Sequence, residues 1–348
     1  MRTLVSLTYD DVLLVPQYSD IRSRQEIDIG TTLGGRHSRP IRFKLPIISS
    51  PMDTVTGPAM ANAINKAGGL GIIHRYCSTD EQAKMIRKVN RGMKAAAIGV
   101  TGDYLDRAKA LVAMGAHILC VDVAHGHHVL MEGALKSLRD TFGDTIHIMA
   151  GNVATIEGIN ALSDWGADSV RCNIGGGSIC STRIQTGHGH PGLQTVVDCS
   201  KTDRDVSIIA DGGITCPGDV SKAFGGCADF VMMGGQFAGH DQNPGKVIEK
   251  IVPGHPNELK KYKCFYGMSS KQAMETHYGK METYRASEGR VLKIPYKGDL
   301  NTTVQDYLGG LRSTCTYINA STMKNMAKCT TFIRVSQQVN DVFTKHTS

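Results

Sequence analysis

Short apolar runs recur along the chain, separated by stretches in which apolar residues fall three or four apart. The runs lie at 45–52, 69–74, 95–100, 117–123, 147–153, 168–174, 206–210 and 229–233. Each is nearly continuous rather than alternating, the pattern of a strand buried on both faces. Segments 80–90, 104–114, 128–142 and 155–165 carry the helical spacing of one packed face. Eight strands alternating with helices predict a parallel sheet of α/β class, and the count predicts a single closed (β/α)8 (TIM) barrel. A doubly wound open sheet is the alternative. No linker or low-complexity stretch divides the chain, so one catalytic domain is expected over 1–348. The polar, weakly periodic segment 264–297 after the eighth strand has the length and position of an active-site lid.

Polar residues gather at or just beyond the strand ends: Ser49, Ser50 and Asp53, then His74 and Arg75, Asp122, Asn152, Cys180, Asp211 and Gly234. Barrels of this kind place their sites at the C-terminal ends of the strands, so these residues are expected to share one mouth. The sixth run leads into Gly175-Gly176-Gly177-Ser178-Ile179-Cys180-Ser181-Thr182-Arg183. Three glycines lose too much entropy on ordering to favour strand or helix, but they suit a loop whose backbone bends sharply around a ligand. A cysteine there is a candidate nucleophile, where most cysteines would be small buried hydrophobes.

Asp211-Gly212-Gly213 and Gly234-Gly235 follow the seventh and eighth strands, where barrels commonly hold a phosphate on glycine-exposed amides; ordinary tight turns are the plain alternative. No G-x-G-x-x-G opens a helix after a first strand, so a dinucleotide would not be held in the Rossmann manner. His125-Gly126-His127-His128, with His188 and His190, invites a metal reading, but no carboxylate or cysteine partner motif accompanies it, and a polar loop over a ligand is favoured. Glu288, between small residues in the lid segment, is either solvated or a general acid–base.

Composition narrows the partners. The net charge of +7 over 348 residues is spread out, and Lys260-Lys261-Tyr262-Lys263 is too short a cluster to argue for nucleic acid. Ten cysteines include no C-x-x-C pair, which speaks against a zinc ribbon or disulfide framework. With no apolar signal stretch and no run long enough to span a bilayer, a reduced cytoplasmic protein without membrane contact is expected.

These motifs, taken in order, resemble the IMP dehydrogenase/GMP reductase family over essentially the whole length. The resemblance is carried by Leu7-Thr8-Tyr9-Asp10-Asp11-Val12-Leu13-Leu14, Ser50-Pro51-Met52-Asp53-Thr54, the 175–183 loop, Ala210-Asp211-Gly212-Gly213 and Tyr266-Gly267-Met268-Ser269-Ser270. Only about twenty residues separate Arg75 from Ala95, leaving no room for the regulatory CBS-domain pair that the dehydrogenases generally insert there. The Ser-Arg-Tyr flap by which dehydrogenases activate water is missing. The stretches 284–289, 311–316 and 331–335 look like the reductase branch, while 71–75 and 124–127 look closer to the dehydrogenase, and Arg75 stands where reductases commonly have lysine.

The resemblance implies a tetrameric NADPH-dependent oxidoreductase of purine metabolism that converts GMP to IMP and ammonia. Cys180 would attack the purine C2, and Thr182 with Glu288 would protonate the departing ammonia. Nucleotide binding would fall to Ser178, Asp211, Gly212, Gly213, Gly234, Gly235, Gly267, Met268 and Ser269, with Arg285, Ala286, Ser287 and Gly289 from the lid. Cofactor contacts carry over to Ser23, Arg24, Arg75, Asp122, Val123, Ala124, Met268, Tyr284, Arg285, Ser313, Thr314, Cys315 and Thr316, some from a neighbouring subunit. A potassium ion would sit on carbonyls at Gly175, Gly177 and Cys180, beside Arg183. A dehydrogenase without CBS domains and a non-catalytic nucleotide-binding barrel are the alternatives.

Overall fold

A computed structural model describes residues 5–252, 255–278 and 287–336. Eight parallel strands close into a barrel: β1 (Ile47–Ser49), β2 (Leu70–Ile73), β3 (Ala95–Ile98), β4 (Ile118–Asp122), β5 (His147–Val153), β6 (Ser169–Cys172), β7 (Ser207–Asp211) and β8 (Phe230–Met233). Closure is made by β8 on β1, in the register Val231↔Ile47, Met232↔Ile48 and Met233↔Ser49. All eight expected strands are present, and the closed barrel replaces the open-sheet alternative.

Alternation within each strand explains why the runs look apolar throughout. Ile48, Ile72, Ala97, Cys120, Met149, Ile209 and Met232 fill the barrel interior. Their neighbours Ile47, Ile73, Ala96, Leu119, Ile148, Ala210 and Val231 pack outward under the helices. That outer layer comprises α1 (Pro58–Lys66), α2 (Thr79–Lys88), α3 (Tyr104–Ala113), α4 (Val129–Phe142), α5 (Ile156–Asp164), α6 (Gly192–Cys199), α7 (Pro217–Gly225) and α8 (Leu300–Tyr317). Their starts follow local chemistry: Ser78 and Glu81 form a capping box on α2, and Thr155 Oγ1 accepts from Gly158 N at 3.1 Å on α5.

Two features were not legible as periodicity. An antiparallel hairpin, Thr31–Gly35 with Ser38–Phe43, plugs the bottom of the barrel, where Phe43 meets Phe230 edge-on with ring centroids 5.6 Å apart. Beyond β8, strands Ile248–Val252, His255–Tyr266 and Val291–Pro295 form a small antiparallel sheet, with a helix, Lys271–Tyr278, after the middle strand. This sheet delivers two stretches of the expected lid, 267–270 and 287–290, to the top of the barrel. Among the described residues no helix is long and apolar enough to cross a membrane.

Candidate active site

Strand parity decides which side chains reach the mouth. Two residues beyond the inward positions Ile72, Cys120, Ile209 and Met232 come His74, Asp122, Asp211 and Gly234. A bulge between Gly151 and Val153 on β5 interrupts the alternation, and Asn152 Nδ2 donates to Asp211 Oδ2 at 2.8 Å.

Beneath the mouth lies Arg171, a buried arginine in the middle of β6. Its Nη1 bonds Asp122 Oδ1, while Nε and Nη2 bond Asp211 Oδ2 at 3.0 and 2.8 Å. Burial opposes the guanidinium charge, but the Asp211 and Asp122 carboxylates outweigh it and hold Arg171 firmly protonated. One buried cation thus fixes two carboxylates that face the same cavity. Sequence reading passed over Arg171; an arginine inside an otherwise apolar strand was the available signal.

The 175–183 loop is built by tight backbone geometry. Gly175, Gly212 and Gly213 have φ of +79°, +79° and +77°, a region favourable only to glycine. Gly212 lies so close to the cysteine loop that an added methyl would come within 3.4 Å of Gly177 Cα. A methyl at Gly234 would meet Met52 Sδ at 3.1 Å, and one at Gly235 would meet Ser178 Oγ at 3.1 Å. The two glycine loops, Ser50 and the cysteine loop therefore converge on bare backbone, as phosphate recognition requires.

The described lid residues clasp this loop as a strand would. Cys180 bridges Gly289, Ser181 N donates to Glu288 O at 3.0 Å, and Arg290 N donates to Ile179 O at 2.9 Å. Glu288 N in turn donates to Ser269 O at 3.0 Å. These contacts align a relay: the Cys180 thiol donates to Thr182 Oγ1 at 3.2 Å, and the Thr182 hydroxyl donates to Glu288 Oε2 at 2.5 Å. Thiol, hydroxyl and carboxylate are linked in one direction, a path along which a proton can move between cavity and carboxylate. Burial pushes the Cys77 thiol up to about 11 and that of Cys120 up to about 12.

Cys180, Thr182, Glu288, Gly175, Gly177, Asp211, Gly212, Gly267, Met268, Ser269, Arg75, Asp122, Val123 and Ala124 line one cavity of about 270 Å³. Across a wall formed by Arg75 and Tyr76 it adjoins a second, of about 830 Å³, which reaches Tyr104, Arg107 and His277. Ser178, Gly213, Gly234 and Gly235 sit directly behind the first cavity, and Ser287 and Gly289 flank Glu288. Ser23 and Arg24 lie elsewhere, in a turn beside α8, the helix that also carries Ser313, Thr314, Cys315 and Thr316. Within one chain the structure does not bring these six to the cavity. Tyr284, Arg285 and Ala286 fall outside the described residues. Arg183 lies along Gly175 and Gly189 and donates to His190 O at 3.4 Å. Among the described residues there is no group of three or more His, Cys, Asp or Glu side chains that could hold a metal.

The family model for the IMP dehydrogenase / GMP reductase domain matches residues 6–342. Among curated proteins, the chain is 40% identical over 346 residues to a GMP reductase of Buchnera aphidicola subsp. Schizaphis graminum, covering 97% of each chain. It is also 40% identical over 349 residues to the GMP reductase of Ascaris suum (98% of this chain, 96% of the other), and 40% identical over 347 residues to GMP reductase 2 of Homo sapiens (98% and 97%). With the barrel, the cysteine loop and its glycine-lined mouth, these matches establish that the chain belongs to the IMP dehydrogenase/GMP reductase family.

Proposed function

We propose that this chain is a GMP reductase, an oxidoreductase that uses NADPH to convert GMP to IMP and ammonia. The observation that carries the reading is the Cys180–Thr182–Glu288 relay, set at the wall of the nucleotide-sized mouth; the relatives named GMP reductase support it. Cys180 adds as thiolate to the purine C2 and forms a C–S bond, while a ring nitrogen takes up a proton. The exocyclic amine is a poor leaving group until protonated, and Glu288 passes the proton through Thr182. Loss of ammonia leaves a thioimidate on Cys180. NADPH, when bound, would supply hydride to C2; the ring nitrogen then gives back its proton, Cys180 departs as thiolate and IMP is released. The sum is GMP, NADPH and one proton in, IMP, ammonia and NADP⁺ out.

The remaining groups bind and orient. Asp211, fixed by Arg171 and Asn152, would accept from ribose hydroxyls; Ser178, Gly212, Gly213, Gly234 and Gly235 would take the phosphate. Gly267, Met268, Ser269 and the 285–289 stretch would close over the base, with 264–297 acting as the lid of a single catalytic domain. The adjacency of the two cavities, which share Arg75 and Tyr76, fits an extended dinucleotide lying over both. Arg75, Asp122, Val123 and Ala124 would contact its nicotinamide half, and Ser23, Arg24 and 313–316 would serve a neighbouring subunit in a homotetramer. Gly175, Gly177 and Cys180 would offer backbone carbonyls to a potassium ion beside Arg183, hard oxygen donors of the kind such a cation takes. All ten cysteines are free thiols, which supports a reducing, cytoplasmic setting.

The test is absorbance at the nicotinamide band in potassium buffer. Loss of NADPH with GMP is expected; sustained NADH formation from IMP would mean a dehydrogenase, and binding without turnover a non-catalytic barrel.

A further inference from the structure

One carboxylate at the mouth is unexplained by this chemistry. Asp53, in the loop after β1, is largely buried, with a side chain 10% exposed. Its Oδ2 accepts two hydrogen bonds, from the Tyr266 hydroxyl and from His277 Nε2, both at 2.5 Å. Both donors belong to the segment after the barrel: Tyr266 ends the strand His255–Tyr266, and His277 lies on the helix Lys271–Tyr278. Among the described residues no barrel group donates to Asp53, and its Oδ1 is buried without a partner. A buried carboxylate oxygen without a partner is costly, which packing alone does not account for.

We propose that Asp53 is a positioning residue: it holds both flanks of the turn Gly267-Met268-Ser269 on one oxygen and so sets that turn against the nucleotide. The turn lines the cavity. It is closed by Ser270 N donating to Gly267 O at 2.9 Å and tied to the acid-bearing stretch by Glu288 N on Ser269 O at 3.0 Å. Gly267 packs so tightly there that an added methyl would come within 2.9 Å of Gly289 Cα. The anchor therefore runs from the barrel through Asp53 to the turn, while Glu288 keeps its own backbone bond from Ser181 N. Tyr76, which walls both cavities, stacks at a tilt on the His277 ring with centroids 5.5 Å apart, adding a second barrel contact to the same helix.

The test compares Asp53→Ala, Asp53→Asn and Tyr266→Phe in the full-length protein, by steady-state kinetics and by amide hydrogen exchange without ligand. Losing hydrogen bonds to a charged acceptor typically costs about tenfold or more in an equilibrium. Asp53→Ala is expected to raise KM for GMP about tenfold or more, with kcat changed by less than about threefold. Tyr266→Phe should weaken GMP by itself and add almost nothing on top of Asp53→Ala. Asparagine, with its oxygen in the Oδ2 place, accepts both bonds and should restore KM. Exchange over 267–278 should quicken about tenfold in Asp53→Ala but not in Asp53→Asn, with β1–β8 unchanged. Unaltered exchange over 267–278, exchange rising throughout the barrel, or no rescue by asparagine would overturn the proposal. Only the kinetic arm rests on the GMP reading; exchange decides the anchoring even where GMP is not turned over.

Discussion

Thr182 and Glu288, 106 positions apart in the chain, meet at 2.5 Å with the hydroxyl donating to the carboxylate. A hydroxyl has one proton to give, so Thr182 can receive from Cys180 only as an acceptor, which is the arrangement found. The carboxylate is therefore connected to the thiol side of the cavity by a single directed path. It is held there by two backbone bonds, Ser181 N donating to Glu288 O and Glu288 N donating to Ser269 O, rather than by its own side chain alone.

Cys180→Ser is expected to abolish turnover while GMP affinity, measured by calorimetry, stays within a few-fold. Serine is a far weaker nucleophile without a strong base, and the glycine loops that would bind phosphate are untouched. Turnover above about a tenth of wild type, a loss of only about 1.4 kcal/mol in barrier, would contradict covalent attack by Cys180.

Gly234→Val tests the phosphate cradle proposed for the two glycine loops. The added carbon meets Met52 Sδ at 3.1 Å and Ser50 Oγ at 3.4 Å and blocks backbone approach. The KM for GMP should rise at least about tenfold, with that for NADPH nearly unchanged. Equal rises would point to general distortion.

Arg171→Met should instead weaken both ligands together, because it strips the cation from Asp122 and Asp211 at once. Breaking a buried pair by removing one partner costs about 3–5 kcal/mol. A lower melting temperature and parallel increases in both KM values are expected; an effect on GMP alone would show that Asp122 is not held for the cofactor.

Stability should fall on mild acidification. Burial pushes His74 and His147 each down to about 4 from an ordinary 6.5, so below 6.5 the unfolded chain takes up protons that the folded protein refuses. Their contribution is fully present above about 6.5 and lost as the pH falls towards 4. Asp229, pushed up to about 6 by burial, acts oppositely between about 3.8 and 6, one group against two. The urea midpoint should drop between pH 7.5 and 5, by the equivalent of roughly 2 kcal/mol, and His147→Gln should drop less. A flat profile would contradict these shifts.

The strands were legible because inward and outward positions such as Ile48 and Ile47 are both apolar, so each run stands out against its turns. The cysteine loop was legible because glycine at positive φ is a backbone demand written in residue type. Contacts across the fold were not. Arg171 hides inside a strand whose neighbours are apolar, and Tyr266 and His277 meet on Asp53 only because a small antiparallel sheet brings 255–278 over the barrel. Ser23 and Arg24 share the α8 side of the molecule with 313–316, a proximity that spacing along the chain does not encode.

The most direct measurement compares two reactions of Glu288→Gln. Mixing enzyme with IMP and NADP⁺ runs the hydride step backwards and gives a burst of NADPH without turnover; the forward reaction of GMP needs deamination as well. Hydride passes between two carbons and needs no proton from the relay, whereas ammonia must be protonated to leave. The forward rate should therefore fall roughly 10²- to 10⁴-fold, while the burst survives with a much smaller loss. Equal losses in both would mean that Glu288 shapes the lid instead of handling the proton, and the relay would not be the acid of this reaction.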